Sequence, residues 1–325
     1  MDLKKIFSIS SEDEFKEVSL EVFNFQYTNN LVYRKFCDLL KIIPKQVDET
    51  SKIPFLPIQF FKSQKILASK SVIQKTFTSS GTTGIETSKH HVTDLSLYEA
   101  SFTNAFRIFY GDIEDYVVLA LLPSYLEREG SSLIYMANYL IDKSKHPQSG
   151  FYLNNLNELK ITLVDLDKAG KKVLLIGVSF ALLDLVESHQ FKLNNTIIME
   201  TGGMKGRRKE MIREELHQIL KEGFGVDKIH SEYGMTELLS QAYSKGNGIF
   251  KSPPWMKILV RDPEDALSYL PNNKTGGINV IDLANHNSCA FIATQDLGKK
   301  HTDSSIEIMG RFDSSDIRGC NLLIL

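Results

Sequence analysis

Three short runs of continuous apolar residues constrain this chain more than any other feature: YVVLALLP at 116–123, KVLLIGV at 172–178 and NTIIME at 195–200. Each is rich in Val, Ile and Leu, and none alternates polar with apolar residues. A strand apolar on both faces belongs inside a sheet covered on both sides, which is the habit of parallel sheets. Segments that read as helices separate the runs. Asp94 is placed to cap LSLYEASFTNAFRIFY, which stops at Gly111, and SSLIYMANYLIDK follows at 131–143. Ser179 is placed to cap a helix after the second run, and a charged helix is expected over 206–222 after the third. The alternation predicts an α/β class fold with a mainly parallel sheet.

The flanks read differently. Residues 11–41 carry a helix start at Ser11, Glu12 and Asp13 and apolar residues at helical spacing. IPFLPIQFFK (53–62) has two prolines and is expected to be extended. KTFTSS (75–80) reads as a strand entering a glycine turn. Beyond residue 245 come shorter strands, WMKILV, INVIDL, CAFIAT and SIEIMG, parted by Pro, Asn and Gly, which predict a smaller antiparallel region. The expected organisation is a single domain over 1–325, with a helical lead-in (1–66), an α/β core (67–245) and a β-rich end (246–325).

Composition narrows the class of function. Hydrophobic residues make up 42% and charged residues 24% of the 325, as in ordinary globular proteins. The formal charge of -2 gives no global field for nucleic acid. There is no apolar run of about 18 residues to span a membrane, and the charged N-terminus lacks a signal-peptide core. Cys37, Cys289 and Cys320 are too few for a disulfide framework. A cytoplasmic location is expected.

Four stretches can carry chemistry. TFTSSGTTG (76–84) has six hydroxyl residues and two glycines. Gly81 and Gly84 allow close approach of the backbone to a ligand, and the backbone N–H groups with the hydroxyls of Ser79, Ser80, Thr82 and Thr83 offer donors to phosphate oxygens. The same composition also makes a plain polar loop. In SEYGMTE (231–237), the Tyr233 ring can stack on a base before Gly234, Thr236 can meet a phosphate, and Glu237 can ligate Mg2+. Alone, that heptapeptide reads equally as a loop. In METGGMKGRRKE (199–210), Gly202 and Gly203 permit a flat ring against the backbone, and Lys205, Arg207, Arg208 and Lys209 read as a solvated basic face. Asp296 in ATQDLG can accept from ribose hydroxyls and Arg311 in GRFDSSDIRGC can donate to phosphate, or the two can be surface ion-pair residues.

The order of these stretches is more specific than any one of them. TSSGTTG, GG after a strand, EYGMTE, TQD and GRFD with RG resemble the motif series of the adenylate-forming superfamily. Within it, IPFLPIQFFK before the loop and RGC near the end resemble the acyl-protein synthetase (LuxE-type) family, over about residues 20–320. The resemblance implies the large N-terminal domain of those enzymes, with the C-terminal lid domain expected to be absent. It also implies ATP and Mg2+, a carboxylic acid substrate of the fatty type, and an acyl-adenylate. By position, Thr78 to Gly84 fall on the segment that wraps the β- and γ-phosphates, and Gly202 and Gly203 on the adenine pocket. Tyr233 falls on the stacking aromatic, Thr236 on the α-phosphate ligand and Glu237 on the metal carboxylate. Asp296 matches the ribose aspartate, Arg311 the hinge arginine, and Cys320 the cysteine that carries the acyl group. Lys89 stands later than the usual loop lysine, which leaves its contact with phosphate open.

The final acceptor is expected to be an acyl reductase, a carrier protein or CoA. Two alternatives stay open: an acid–CoA or aryl-acid ligase using an external thiol, and a non-catalytic nucleotide- or acyl-binding subunit. Cys37 and Cys289 read as core, His90 and His91 as exposed residues of a polar strand, and His230 as either a packing residue or a neighbour of the site.

Overall fold

The structure, a computed structural model, describes residues 3–79, 87–123, 130–202, 208 and 211–311. It divides into two compact units: Lys75–Lys89 with Asp94–Pro253, and Met1–Gln74 with His90–Thr93 and Pro254–Leu325. The segment expected as 1–66 and most of that expected as 246–325, from Pro254 on, fall in one unit, while 246–253 belong to the other.

The α/β unit holds the three apolar runs as strands β1 (Val117–Leu121), β3 (Val173–Gly177) and β4 (Thr196–Thr201). With them stand β2 (Gly150–Phe151), β5 (His230–Tyr233), β6 (Ala242–Ser244) and β7 (Ile249–Lys251). Within the unit the order is β7-β6-β5-β4-β3-β1-β2. Strands β2, β1, β3, β4 and β5 pair in parallel, while β6 and β7 close the series antiparallel. Every residue of β1 and β3 is buried, as continuous apolar sequence requires.

Local capping sets the helices. Asp94 accepts from the Ser96 N–H at 3.0 Å to start α1 (Leu95–Tyr110), and Gly111 ends it at φ 88°. Ser131 caps α2 (Ser132–Ser144) and Asn155 caps α3 (Leu156–Lys168). Buried Asp167 at the end of α3 accepts from the backbone N–H of Asn194 and Asn195 and from Thr196 Oγ1, which fixes where β4 begins. Helix α4 (Ser179–Ser188) lacks the expected serine cap: Val178 holds that position, and Ser179 Oγ donates instead to the Gly202 carbonyl at 2.8 Å. Helix α5 spans Arg213–Phe224, not 206–222. Of the basic cluster, Arg208 pairs with Asp184 and Glu187, and Lys205, Arg207 and Lys209 lie outside the described residues.

The other unit joins two N-terminal helices, Glu12–Asn29 and Leu31–Leu39, to the antiparallel strands β8 (Met256–Arg261), β9 (Thr275–Asp282), β10 (Phe291–Lys300) and β11 (Ile306–Arg311). The single helix expected over 11–41 is broken at Asn30. Its side chain accepts from Val32 and Tyr33 N–H and donates to the Ser288 carbonyl, so a long-range bond stabilises the break. Buried Gln26 holds the same segment through Asn285, His286 and Ala290. The expected extended stretch at 53–62 supplies Leu56–Pro57, parallel to β10, but turns helical at Phe60–Ser63. Cys37 and Cys289 are fully buried, and burial pushes both thiols up to about 12.

Helices α4 and α5 meet at Gly223, where an added Cβ would overlap the Cβ of Val186. Alanine adds about 1 kcal/mol of helix propensity, whereas overpacking costs roughly 1–3 kcal/mol. Because Val186 is β-branched and cannot swing aside, Gly223→Ala is predicted to lower stability by about 1 kcal/mol in urea unfolding.

Candidate active site

In the α/β unit the strand order reverses between β1 and β3, and ligands of such sheets bind beyond the carboxyl ends of the strands. Two of the strands end at or directly before residues singled out in the sequence: β4 before Gly202 and β5 at Tyr233. Leu121 and Gly177 are register partners at the ends of β1 and β3. Thr201 and Glu232 are partners at the ends of β4 and β5.

Gly202 follows β4 at φ 69°, a conformation that suits glycine, with its carbonyl held by Ser179. Tyr233 closes β5 and packs edge-on to Phe250 at 6.2 Å. Gly234 is exposed, Thr236 half-buried and Glu237 buried in the turn that follows. The Leu238 N–H bonds to the Met235 carbonyl at 3.1 Å and so closes that turn.

The polar loop is described only at its base. Thr78 N–H donates to the Gly130 carbonyl at 2.7 Å, Ser79 N–H to the Ser88 carbonyl at 3.2 Å, and Ser88 N–H to Ser79 Oγ at 3.0 Å. Ser79 thus closes the neck of the loop with both its backbone and its hydroxyl. Ser80, Gly81, Thr82, Thr83 and Gly84 lie outside the described residues, as do Gly203 and Cys320.

In the other unit Asp296 and Arg311 are cross-strand partners on β10 and β11. Arg311 Nε stands 3.4 Å from Asp296 Oδ1, with the carboxylate side chain 11% exposed and the arginine 79%. So exposed a pair adds little stability, at most about 1 kcal/mol. Asp296 sits within a strand, not a turn, and its N–H bonds to Thr294 Oγ1.

The sequence reading passed over two buried carboxyls in the α/β unit. Glu200 is 6% exposed and has His217 Nε2 at 3.6 Å and Arg213 Nε at 3.7 Å, both from α5. Burial pushes its carboxyl up, but the His217 hydrogen bond and the Arg213 charge outweigh burial and hold it below the usual range. Glu232 is 9% exposed and accepts from Thr201 Oγ1 at 2.5 Å. Burial, with the Glu200 charge adding and Thr201 opposing, raises it to about 7. Glu232 lies within SEYGMTE and Glu200 ends the run NTIIME, and only the pairing of β4 with β5 brings the two buried acids together.

The histidines also differ from expectation in part. His90 is fully buried with Nε2 3.0 Å from Asn285 Oδ1, and His91 is half-buried. His230 packs against Tyr110, whose hydroxyl is 3.2 Å from Nδ1. Burial, then Lys245 and Lys228, lowers His230 to about 4, so it is neutral at pH 7.

The family described as "Acyl-protein synthetase, LuxE" matches residues 6–97 and 129–325. A long-chain-fatty-acid–luciferin-component ligase of Vibrio harveyi is 24% identical over 92% of this chain and 84% of its own. A 2-hydroxyisobutyryl-CoA ligase solved with 2-HIB-AMP and CoA superposes with a TM-score of 0.63 at 13% identity, over 93% of this chain and 70% of that one. ATP-bound MatB from Rhodopseudomonas palustris gives 0.53 at 19% identity over 82% of this chain. The chain spans about half of the MatB length, 49%. At these identities the solved structures share the fold, that of the large domain of adenylate-forming enzymes.

Glu232 and His230 oppose each other in pH-dependent stability. Glu232 shifts from 4.5 to about 7 on folding, so its contribution is full below 4.5 and is lost as pH rises to about 7. His230 shifts from 6.5 to about 4, so its contribution is present above 6.5 and lost as pH falls. Glu232→Gln is predicted to make the urea midpoint rise from pH 4.5 to 6.5 more steeply than in wild type. His230→Asn is predicted to make it fall over pH 4.5 to 7.

Proposed function

The chain belongs to the acyl-protein synthetase (LuxE) family, and from that premise we propose that it activates a carboxylic acid with ATP and then carries the acyl group as a thioester. The family match over most of the chain carries this reading, since it spans both the SSGTTG loop and the segment with Cys320. A fatty acid is the substrate class, by analogy with the acid named for the Vibrio harveyi relative.

In the first half-reaction a carboxylate oxygen of the acid attacks the α-phosphorus of ATP. The bond to pyrophosphate breaks, leaving an acyl-adenylate. In the second, the Cys320 thiolate attacks the acyl carbonyl, AMP leaves with the former carboxylate oxygen, and a thioester forms. The thiol proton passes to solvent. An acyl reductase, a carrier protein or CoA then takes the acyl group.

In this reading Thr78, Ser79, Ser80, Gly81, Thr82, Thr83 and Gly84 wrap the outer phosphates. Gly202, Gly203, Tyr233 and Gly234 receive the adenine, Thr236 the α-phosphate and Asp296 the ribose, with Arg311 as the hinge arginine. What favours the assignment of Tyr233 to Glu237 is their position beyond the carboxyl end of a parallel strand. The acid is assigned in this reading to the switch point beyond Leu121 and Gly177, where such sheets take ligands; Leu182 packs within 3.0 Å of where a Cβ on Gly177 would stand, so a larger residue there would crowd it.

Among the described residues no three acidic, His or Cys side chains gather as a metal cage. Mg2+ is commonly held by one or two carboxylates together with substrate phosphates, and Glu237 is the candidate for that carboxylate. The ion would supply positive charge against the phosphates.

Incubation with ATP, Mg2+ and a fatty acid is expected to add one acyl mass to the protein, releasable by hydroxylamine. Cys320→Ser should abolish the adduct and keep acid-dependent ATP–pyrophosphate exchange. Persistence of the adduct would remove Cys320 from the mechanism, and exchange without any wild-type adduct would point to an external thiol. Glu237→Gln is expected to slow exchange by roughly a hundredfold, as loss of preorganised charge stabilisation does, and EDTA should abolish it until Mg2+ is restored.

A further inference from the structure

Glu232 does no work in the reaction as described, yet it is buried between the two strand ends that flank the adenine assignment. Thr201 and Glu232 are register partners on β4 and β5, joined by the 2.5 Å bond from Thr201 Oγ1 to Glu232 Oε2. Gly202 follows the first and Tyr233 the second. The other carboxyl oxygen, Oε1, lies against Gly234, so close that a Cβ there would overlap it. Gln241 Cγ is 3.3 Å from the same point, and Gln241 Oε1 is a buried acceptor without a partner among the described residues.

We propose that Glu232 is a positioning residue for the nucleotide: its carboxyl, clamped to Thr201 and packed under Gly234, fixes the level at which Gly202 and Tyr233 leave the sheet. This rests on the reading of Tyr233 to Glu237 as the nucleotide-binding turn.

Charge and hydrogen bonding agree with that role. No Lys, Arg or His among the described residues forms an ion pair with Glu232. The groups around it are Thr201 and Glu200 of β4 and Tyr243, its register partner on β6, with Tyr110 and Tyr98 of α1 behind Tyr243. Arg213 and His217 of α5 engage Glu200 instead. With no cation to stabilise its charge, Glu232 keeps its proton up to neutral pH. The protonated carboxyl accepts from Thr201 and has an O–H to give, and the orphan Gln241 Oε1 is the acceptor at hand. Ionisation removes that donor and sets charge beside Glu200. An apolar pair would fill the space without any group to desolvate; the polar pair adds direction, which a site placed to within about half an ångström needs.

The test uses the full chain and three variants, Glu232→Gln, Glu232→Ala and Thr201→Val, read by direct Mg-ATP titration, by acid-dependent exchange, and by hydrogen–deuterium exchange of the 231–237 segment without nucleotide. Glu232→Ala should weaken ATP binding roughly tenfold or more, since a displacement of about 1 Å can cost that and beyond, with the KM for the acid unchanged. The 231–237 amides should exchange faster in Glu232→Ala and Thr201→Val. Glu232→Gln, which keeps an acceptor for Thr201 and a donor on its other side and carries no charge, should bind ATP within about threefold of wild type. Wild type should lose ATP affinity above pH 7 as Glu232 ionises, and Glu232→Gln should not.

Unchanged ATP affinity and amide exchange in Glu232→Ala would overturn the inference. So would Glu232→Gln as impaired as Glu232→Ala at pH 6, which would make the carboxylate charge itself the functional group. Failure of the wild-type protein to bind ATP would instead remove the proposed function, and amide exchange would still decide whether Glu232 fixes the turn.

Discussion

Thr201 and Glu232 face each other at the carboxyl ends of two parallel strands, and the hydrogen bond between them ties both chains to one level as they leave the sheet. Parallel pairing makes such a tie useful. In a parallel sheet the strand ends that carry ligands all point the same way, and their segments meet through neighbours in space instead of through a hairpin. Met199, Glu200 and Thr201 pair with His230, Ser231 and Glu232, so alternate residues fall on opposite faces. One face carries Glu200 with its arginine and histidine, and the other carries Glu232 with a threonine and a tyrosine. The two carboxyls are consequently driven in opposite directions: Arg213 and the His217 hydrogen bond hold Glu200 below the usual range, while burial with no ion-pair partner among the described residues raises Glu232 to about 7.

Much of the fold was legible because its signals are local. Asp94, Ser131 and Gly111 mark helix ends through their own side chain or backbone, and the apolar runs announced β1, β3 and β4. What was illegible depends on partners distant in sequence. Asn30 breaks the N-terminal helix because Ser288 is there to accept its amide hydrogen. Ser179 reads as a cap, but the carbonyl of Gly202 takes its hydroxyl. The helix Leu156–Lys168 was legible but unread: Asn155 caps it and Leu156, Leu159, Leu163 and Leu166 recur at helical spacing.

The site divides in the same way. Residue types and order were enough to identify the family and to propose Tyr233, Thr236 and Glu237 as site residues, whereas the packing around them was hidden. Glu232 looks like one more polar residue of SEYGMTE until β4 is laid beside β5. Asp296 and Arg311 were readable as ribose and phosphate ligands or as an ion pair; the antiparallel register of β10 and β11 makes them neighbours. His90 seemed to belong to an exposed polar strand, yet Phe61 packs edge-on to its ring and Asn285 meets its Nε2.

Adenylate formation is the step on which the rest of the functional account depends, and isotope exchange reads it without needing the final acceptor. The decisive measurement is ATP–pyrophosphate exchange by the full chain with Mg2+ against fatty, aryl and amino acids in turn. The account predicts exchange that requires a fatty acid. Binding of ATP with no exchange for any acid would contradict it and leave a nucleotide-binding subunit in place of a ligase.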